Sequence, residues 1–145
     1  MYRLLHFLFP QRPSARLTSV VLLVLRTTFG MMFLTHGLKK WEAFETLQNN
    51  FPDPIGIGSH FSLMLAIFAE VYCSIALVLG FLHRLILLPM ISTMIVAICF
   101  IHNGHPFAES ELAFAYLLVF VAIYILGVGK YSADYWMMRF YKAFE

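Results

Sequence analysis

Two charged residues stand inside apolar stretches of the sequence, where a charge is costly. Arg26 lies near the middle of the apolar run 17–38, and Glu70 lies near the middle of the run 61–81. An unpaired charge at the centre of a bilayer costs roughly 2.5–3.5 kcal/mol or more. Opposite sign and similar depth therefore predict that Arg26 and Glu70 pair between adjacent helices. Such a pair either fixes the register of the two helices or lines a polar cavity for a proton or a substrate head group.

The first predicted helix continues this polar character towards its far end. At 100° per residue, Arg26, Gly30, Gly37 and Lys40 fall within about 80° of one face. His36 lies at the edge of the same face. The polar face therefore runs from the centre of the membrane to its outer surface.

Histidine and glutamate side chains gather on the same outer side of the predicted helices. They are His36, His60, His102, His105, Glu109 and Glu111. One interpretation is an ordinary hydrated interface, and a second is a functional polar mouth formed by Lys40, His36, His102 and Glu111. A third is a haem or metal site with His36 and His102 as ligands. No CxxCH motif, HExxH motif or histidine pair at i, i+4 is present, so no motif makes a metal site specific.

The composition indicates what kind of chain must position these groups. Of 145 residues, 61% are hydrophobic and only 12% are charged, whereas a soluble domain carries about 25% charged residues. A helix needs about 20 apolar residues to cross the hydrocarbon core, and four segments come close to this length. They are 17–38, 61–81, 85–101 and 112–128. The sequence therefore predicts an all-α integral membrane bundle of four transmembrane helices.

The basic residues predict the orientation and the organisation of the chain. Most of them fall on one side of the predicted spans: Arg3, Arg12, Arg16, Arg84, Lys130, Arg139 and Lys142. By the positive-inside rule this side is cytoplasmic. A cytoplasmic or interfacial arm, 1–16, then precedes the transmembrane domain, 17–135, and a cytoplasmic tail, 136–145, follows it. Because the basic residues sit at membrane boundaries rather than on one face, we expect a lipid bilayer and no nucleic acid as partner.

Proline and glycine residues mark the ends of the predicted helices. The outward-facing loop 51–58 contains two prolines and two glycines, so we expect it to be non-helical and to fold back over the outer mouth of the bundle. Gly127 and Gly129 are expected to end the fourth helix, and Ser110 to cap its start. On the inner side, we expect a contact between Arg84 and Asp134.

The order and spacing of these residues resemble the DoxX family of small membrane proteins. The resemblance covers roughly residues 17–135. The matching residues are Arg26, Gly30, His36, Gly37 and Lys40 in helix 1, Glu70, Gly80 and Arg84 in and after helix 2, His102 after helix 3, Glu111 and Tyr116 in helix 4, and Gly127, Gly129, Lys130, Tyr131, Ser132 and Asp134 after it.

This resemblance implies a four-helix bundle in the cytoplasmic membrane of a bacterium, associated with respiratory or redox chemistry. The family takes its name from a subunit of a thiosulfate:quinone oxidoreductase. The resulting candidate ligand-binding residues are Arg26, His36, Lys40, Glu70, His102, Glu111 and Tyr116. The candidates for a catalytic role are Glu70, Glu111, His36 and His102. The expected structural residues are Gly30, Gly37, Gly80, Arg84, Gly127, Gly129 and Asp134.

Three functions fit these candidates. The first is a redox-associated subunit that binds a quinone and receives electrons from a partner redox protein. Any enzymatic role would then be that of an accessory subunit of a quinone-linked oxidoreductase. The second is a non-enzymatic binder or transporter of a small amphiphile, which would need to form homo-oligomers to make a conduit. The third is a structural subunit whose buried charges serve assembly. The sequence identifies no cofactor; a quinone is the first candidate, and a haem is the second.

Overall fold

The chain folds into helices that pack along one another. The computed structural model describes residues 14–101 and 107–142 of the protein, and these contain no strand. The helices are α1 (Ala15–Glu42), α2 (Phe44–Leu47), α3 (Ser59–Leu79), α4 (His83–Val96), α5 (Phe107–Leu126) and α6 (Ala133–Lys142). A π-helical turn, Phe68–Tyr72, interrupts α3, and another, Ala97–Ile101, extends α4. The predicted all-helical class is confirmed over these residues.

Three helices are long and apolar enough to cross a membrane. They are α1, α3 and the segment His83–Phe100, which contains α4. A shorter apolar segment, Ser110–Leu126, makes up most of α5. The protein is therefore a membrane protein with several apolar helices, as its composition predicts.

Helix α1 is longer than its predicted apolar run. It begins after Ser14, whose side chain accepts a hydrogen bond from the backbone N–H of Leu17. It continues for 28 residues, so that Lys39 and Lys40 form part of its last turn. Positive charge there is favoured by the negative end of the helix dipole. Lys40 is therefore carried on a rigid helix, two residues beyond the end of the predicted apolar run.

Glycines set the antiparallel register of α1 against α3. A Cβ atom added at Gly37 would lie 2.7 Å from the Cβ of Glu70, and one added at Gly30 would lie 2.8 Å from a methyl group of Val78. Small residues at such positions let two helix backbones approach closely. Further along, Gly80 lies against the guanidinium group of Arg26. Glu70 is therefore level with Gly37, and Arg26 is level with the end of α3.

The main core lies where α1, α3, α4 and α5 meet. Its most deeply buried side chains include Phe33, Leu77, Leu87, Met90 and Phe120. Helix α5 packs mainly against α4 and more lightly against α1. This packing fixes the positions of the side chains that face the interior between these helices.

The connection between α1 and α3 folds back onto the helices, as the proline and glycine pattern predicts. Phe51 packs with Phe44 and Leu47 against the apolar cluster of α3 centred on Leu63. Asp53 organises the following turn, because its carboxylate accepts hydrogen bonds from three backbone N–H groups and from a serine hydroxyl. The donors are the N–H groups of Gly56, Ile57 and Gly58 and the hydroxyl of Ser62.

At the opposite end, Asp134 joins α6 to the turn between α3 and α4. Its carboxylate accepts hydrogen bonds from the backbone N–H groups of Leu82 and His83, at 2.8 and 3.1 Å. It also contacts Nδ1 of His83 at 2.7 Å. The expected contact between Asp134 and Arg84 is therefore wrong, because the neighbouring histidine faces the carboxylate while Arg84 is exposed.

The fourth predicted helix ends where the sequence indicates but begins earlier. Helix α5 stops at Leu126, and Gly127 and Gly129 follow with φ of 86° and 75°, a region that glycine enters readily. Its start at Phe107 places Ser110 inside the helix. The expected Ser110 cap is therefore wrong. Residues 133–142, most of which belong to the predicted tail, form the separate helix α6.

Candidate functional site

A cavity of about 700 Å³ lies among the helices on the side of the folded-back loop. Helices α1, α3, α4 and α5 all contribute to its walls, and Phe51, Pro52, Pro54 and Ile55 cover it from the loop. Most of the wall is apolar. Among the described residues, the ionisable side chains that line it are His36, Lys40, Glu70 and Tyr116. Cavities of this size, apolar with a few convergent polar groups, are typical of sites for small molecules.

The strongest polar interaction in the cavity joins Lys40 of α1 to Glu70 of α3. The Lys40 ammonium donates to both carboxylate oxygens of Glu70, with an Nζ–Oε2 distance of 2.5 Å. The Glu70 side chain is 4% exposed and that of Lys40 is 27% exposed. A carboxylate removed from water to this extent needs a paired cation. The ion pair therefore places a compensated but polar group in the cavity wall.

Glu70 occupies an unusual backbone position. It lies in the π-helical turn Phe68–Tyr72 of α3, with α-helix on both sides. A π turn inserts an extra residue into a helix and re-aims the side chains around it, and such turns are frequent at functional sites. The turn thus allows Glu70 to face the cavity at the level of Lys40.

The predicted pair between Arg26 and Glu70 is wrong. The Arg26 side chain donates from Nη2 to the backbone carbonyl of Tyr131, and the charge of Asp134 acts on the same guanidinium. The glycine register explains the difference, because it sets Arg26 beside Gly80, about ten residues along α3 from Glu70. Ten helical residues span about 15 Å. Arg26 therefore lies in a separate network at the other end of the helices.

Tyr116 brings a second polar group to the cavity from α5. Its ring packs against Phe33 and Phe29 of α1, with centroid distances of 5.0 and 5.8 Å. The ring of His36 meets it edge-on at 6.0 Å. The side chain is buried, yet its hydroxyl has no hydrogen-bond partner among the described residues. A buried hydroxyl without a partner is costly, so this group is available to a ligand in the cavity.

His36, Tyr116 and the ion pair form one polar unit. The rings of His36 and Tyr116 are in contact, and both side chains line the cavity together with Lys40 and Glu70. The unit combines hydrogen-bond donors, an imidazole and a carboxylate around one end of an apolar space. Such a set can orient a polar head group and exchange protons with it.

Comparison with known families shows which family the chain resembles. The DoxX family model matches residues 21–103, which span α1, the folded-back loop, α3 and α4. The protein belongs to the DoxX family. The matched segment contains His36, Lys40 and Glu70. No curated protein and no solved structure gave a significant match.

The other predicted site residues that the structure describes in this DoxX protein, Arg26 and Glu111, do not line the cavity. Arg26 lies in the separate network with Tyr131 and Asp134 described above. Glu111 is exposed and is not among the residues that line the cavity. His60 is also exposed, and its ring packs against Phe44 and Phe61. His102 falls outside the described residues. The predicted haem site formed by His36 and His102 therefore includes a residue that the structure does not describe.

Metal binding finds no support in the part of the DoxX chain that the structure describes. Within residues 14–101 and 107–142, no group of three or more histidine, cysteine, aspartate or glutamate side chains is placed to hold a metal ion. The two described cysteines, Cys73 and Cys99, are not joined in a disulfide.

The cavity is also lined by residues of α4 that are not among the predicted site residues. Ser92 and Thr93 of α4 line it, and their hydroxyls donate to backbone carbonyls one helical turn earlier. Pro89, which has no N–H for the helix ladder, lies on the same wall. A proline followed by two hydroxyl residues within an apolar helix was the available signal for this position.

The cavity opens sideways between α3 and α4. The inner part of α3, Cys73–Leu79, packs against α4, whereas Ser59–Ile67 packs against α1 and the π turn. Leu65 and Phe68 line the cavity from α3 while remaining 54% and 49% exposed. Ser92 of α4 lines the same cavity and is also exposed. In a membrane, this opening faces the acyl chains of the lipids.

Proposed function

We propose that this DoxX protein binds a small membrane-dissolved amphiphile in the cavity, and that a quinone is the ligand that fits best. The observation that carries this proposal is the joining of an apolar space of about 700 Å³ to a single polar end formed by His36, Lys40, Glu70 and Tyr116. An amphiphile has the same division between an apolar body and a polar head. Its head group would lie at the ion pair and its tail towards the opening between α3 and α4.

Quinone chemistry suits the groups at the polar end. A quinone has two carbonyl oxygens that accept hydrogen bonds, and its reduction consumes two electrons and two protons. The Tyr116 hydroxyl, which has no other partner among the described residues, would donate to one oxygen. Lys40 would stabilise negative charge that develops on the other, and His36 or Glu70 would supply or accept protons.

The proposed place in metabolism is that of a quinone-linked subunit of a membrane oxidoreductase. The electrons would come from a partner redox protein, and this chain would hold and protonate the acceptor. Membership of the DoxX family supports this assignment by analogy. The proposal extends to the cytoplasmic membrane of a bacterium, where such a subunit would meet the quinone pool.

The proposed topology has four spans with both termini in the cytoplasm. Helix α5 would be the fourth span, since its 20 residues match the hydrocarbon thickness of about 30 Å. Arg16 and Arg84 lie in the first turns of α1 and α4, and Lys130 and Arg139 follow α5, so these cations share one end of the apolar helices, which supports a cytoplasmic location for that end. The cavity and its folded-back loop would then lie towards the outer leaflet.

The second candidate function is binding or transport of an amphiphile without electron transfer. The lateral opening between α3 and α4 supports it, because any lipid-like molecule could enter there. Homo-oligomers would then provide a longer path across the membrane. In the third candidate, a purely structural subunit, the Lys40–Glu70 pair would only hold α1 against α3.

Extraction of the purified protein tests the proposal. The full chain is purified in mild detergent, extracted with organic solvent and analysed by mass spectrometry beside Tyr116→Phe and Glu70→Gln. Tyr124→Phe is the matched control, because Tyr124 lies exposed on the same helix and outside the cavity lining. We expect a quinone in the native protein and the control and a severalfold lower amount in the two cavity variants. A different amphiphile with the same dependence favours the second function, and folded protein without any retained ligand contradicts binding.

A further inference from the structure

Helix α6 presents an unpartnered apolar face. At 100° per residue, four large side chains share one side of the helix: Trp136, Met137, Phe140 and Tyr141. They are 58%, 46%, 62% and 68% exposed, respectively. Arg139 lies about 60° from Trp136 around the helix, at the edge of this face. An exposed surface of this kind on a short amphipathic helix is typical of helices that lie in a membrane interface.

The start of α6 is fixed at the ends of the apolar helices. The backbone N–H of Asp134 donates to the carbonyl of Gly80 at 3.0 Å. Its carboxylate accepts from the N–H groups of Leu82 and His83, in the turn between α3 and α4. These contacts hold α6 at the level where α3 ends and α4 begins, which is the level of the lipid head groups if these helices span the bilayer.

A basic pocket lies beside this helix. It has a volume of about 280 Å³, and its lining residues are Arg16, Lys130, Tyr131, Tyr135, Trp136 and Arg139. The three cations come from the start of α1, the α5–α6 connection and α6. No carboxylate lines the pocket, and none of the three cations forms an ion pair with a residue within 14–101 or 107–142. Arginine and lysine in such a setting favour a phosphate group.

We propose that α6 lies in the membrane interface and that Arg16, Lys130 and Arg139 bind the phosphate of an anionic phospholipid. The aromatic face of α6 enters the acyl-chain boundary, while the pocket holds the head group. Tyrosine and tryptophan suit this depth because they combine an apolar ring with a polar edge. Basic pockets beside transmembrane helices are known to select anionic head groups. This site lies at the opposite end of the helices from the cavity and does not depend on the ligand bound there.

Fluorescence quenching of Trp136 tests the position of α6. The protein has two tryptophans, Trp41 and Trp136, so Trp41→Phe leaves a single reporter in the full chain. The variant is reconstituted into phosphatidylcholine–phosphatidylglycerol vesicles. We expect lipids brominated near the head group to quench Trp136 strongly and aqueous acrylamide to quench it weakly. Strong acrylamide quenching without lipid quenching, or shielding from both agents by another protein surface, would overturn the interfacial location.

Native mass spectrometry of the full chain tests the basic pocket. The probes are dihexanoyl phosphatidylglycerol, dihexanoyl phosphatidylcholine and inorganic phosphate. The Arg16→Gln, Lys130→Gln and Arg139→Gln variants are compared with Arg84→Gln, which removes an exposed cation on the same side but outside the pocket. We expect phosphatidylglycerol to bind best, with about fivefold weaker binding for each pocket cation removed and no change for Arg84→Gln.

The other outcomes overturn the lipid assignment in different ways. Inorganic phosphate bound as tightly as phosphatidylglycerol would make the pocket a site for free phosphate. Equal binding of phosphatidylcholine and phosphatidylglycerol would show that the three cations do not select anionic lipid. An equal loss of lipid binding in Arg84→Gln would show a general effect of positive charge instead of a defined pocket.

Discussion

Lys40 and Glu70 form an ion pair across α1 and α3, at the level where Gly37 brings the two helices into close contact. The pair lies at the polar end of the cavity and is shielded from solvent mainly on the side of Glu70. The pair should therefore affect both the stability of the protein and the binding of a ligand, and the two effects can be measured separately.

Removal of Lys40 should destabilise the protein strongly. Lys40→Met leaves the buried Glu70 carboxylate without its cation, and breaking a buried pair from one side costs about 3–5 kcal/mol. Because Lys40 is partly exposed, we expect about 3 kcal/mol. The double variant Lys40→Met, Glu70→Leu should recover at least half of that loss. Thermal unfolding in detergent measures this cycle, and simple addition of the two single effects would show that the groups do not interact.

Substitution of Gly37 should push the helices apart. A Cβ atom there would meet the Cβ of Glu70 at 2.7 Å, and backbone atoms lie almost as close. Overpacking of this kind costs about 1–3 kcal/mol, so Gly37→Ala should lower the melting temperature by several degrees. Thr28→Ala, at an exposed position of the same helix, serves as the control. Unchanged stability of Gly37→Ala would contradict the register described here.

Arg26 should matter for stability and not for ligand retention. It connects α1 to the α5–α6 connection through the carbonyl of Tyr131 and lies far from the cavity lining. Arg26→Gln should cost about 1–3 kcal/mol, the usual value for a lost hydrogen bond to a charged group. The folded fraction should retain as much extracted ligand as the native protein. Loss of ligand from folded Arg26→Gln protein would show that Arg26 contributes to ligand binding.

Acid should weaken the end of the structure where Asp134 joins α6 to the turn between α3 and α4. Burial raises the pKa of this carboxyl, but the hydrogen bonds from His83 and Leu82 outweigh burial and hold the pKa below its usual value. The stabilisation is therefore present above the unfolded pKa of about 3.9 and is lost as the pH falls through the lower folded pKa. Asp134→Asn should reduce the acid dependence of the melting temperature below about pH 4, whereas Glu42→Gln should not. The same acid dependence in Asp134→Asn and native protein would contradict this role.

The folded-back loop should depend on Asp53. The hydroxyl of Ser62 and the N–H groups of Gly58, Ile57 and Gly56 donate to its carboxylate, and these bonds lower its pKa. In Asp53→Ala we expect hydrogen exchange at residues 56–58 to accelerate roughly fivefold, as for a typical lost hydrogen bond. Exchange within α5 should stay unchanged, which provides the internal control. Unaltered exchange in the loop would mean that other contacts hold it.

The sequence predicts the helices better than it predicts their partners. Apolar runs gave the class of protein and most helix positions, and Gly127 marked the end of α5. The Arg26–Glu70 pair was predicted by counting depth from the ends of apolar runs. Helix α1 extends to Glu42 and thus carries Lys40 to Glu70. Contacts at Gly30 and Gly37 set the register, and such contacts are not visible in composition or periodicity.

The residues of the candidate site could likewise be named from the sequence, but their contacts could not. His36, Lys40, Glu70 and Tyr116 come from three helices, and their order in the bundle decides whether they meet. The π turn around Glu70 changes the direction of its side chain by a local insertion that has no clear sequence signal. Glu111, by contrast, has the charge and sequence position expected of a site residue, but it is exposed and does not line the cavity.

Photolabelling with an azido-quinone is the most direct test of the claim that the cavity is the amphiphile site. The reconstituted full chain is irradiated with the probe, with and without excess unlabelled quinone, and the labelled peptides are identified by mass spectrometry. We expect labels on cavity residues such as Phe33, Ala66 and Ala113 of α1, α3 and α5, with competition by unlabelled quinone. Labels confined to lipid-facing residues such as Val24 and Ile125, and insensitive to competitor, would contradict it.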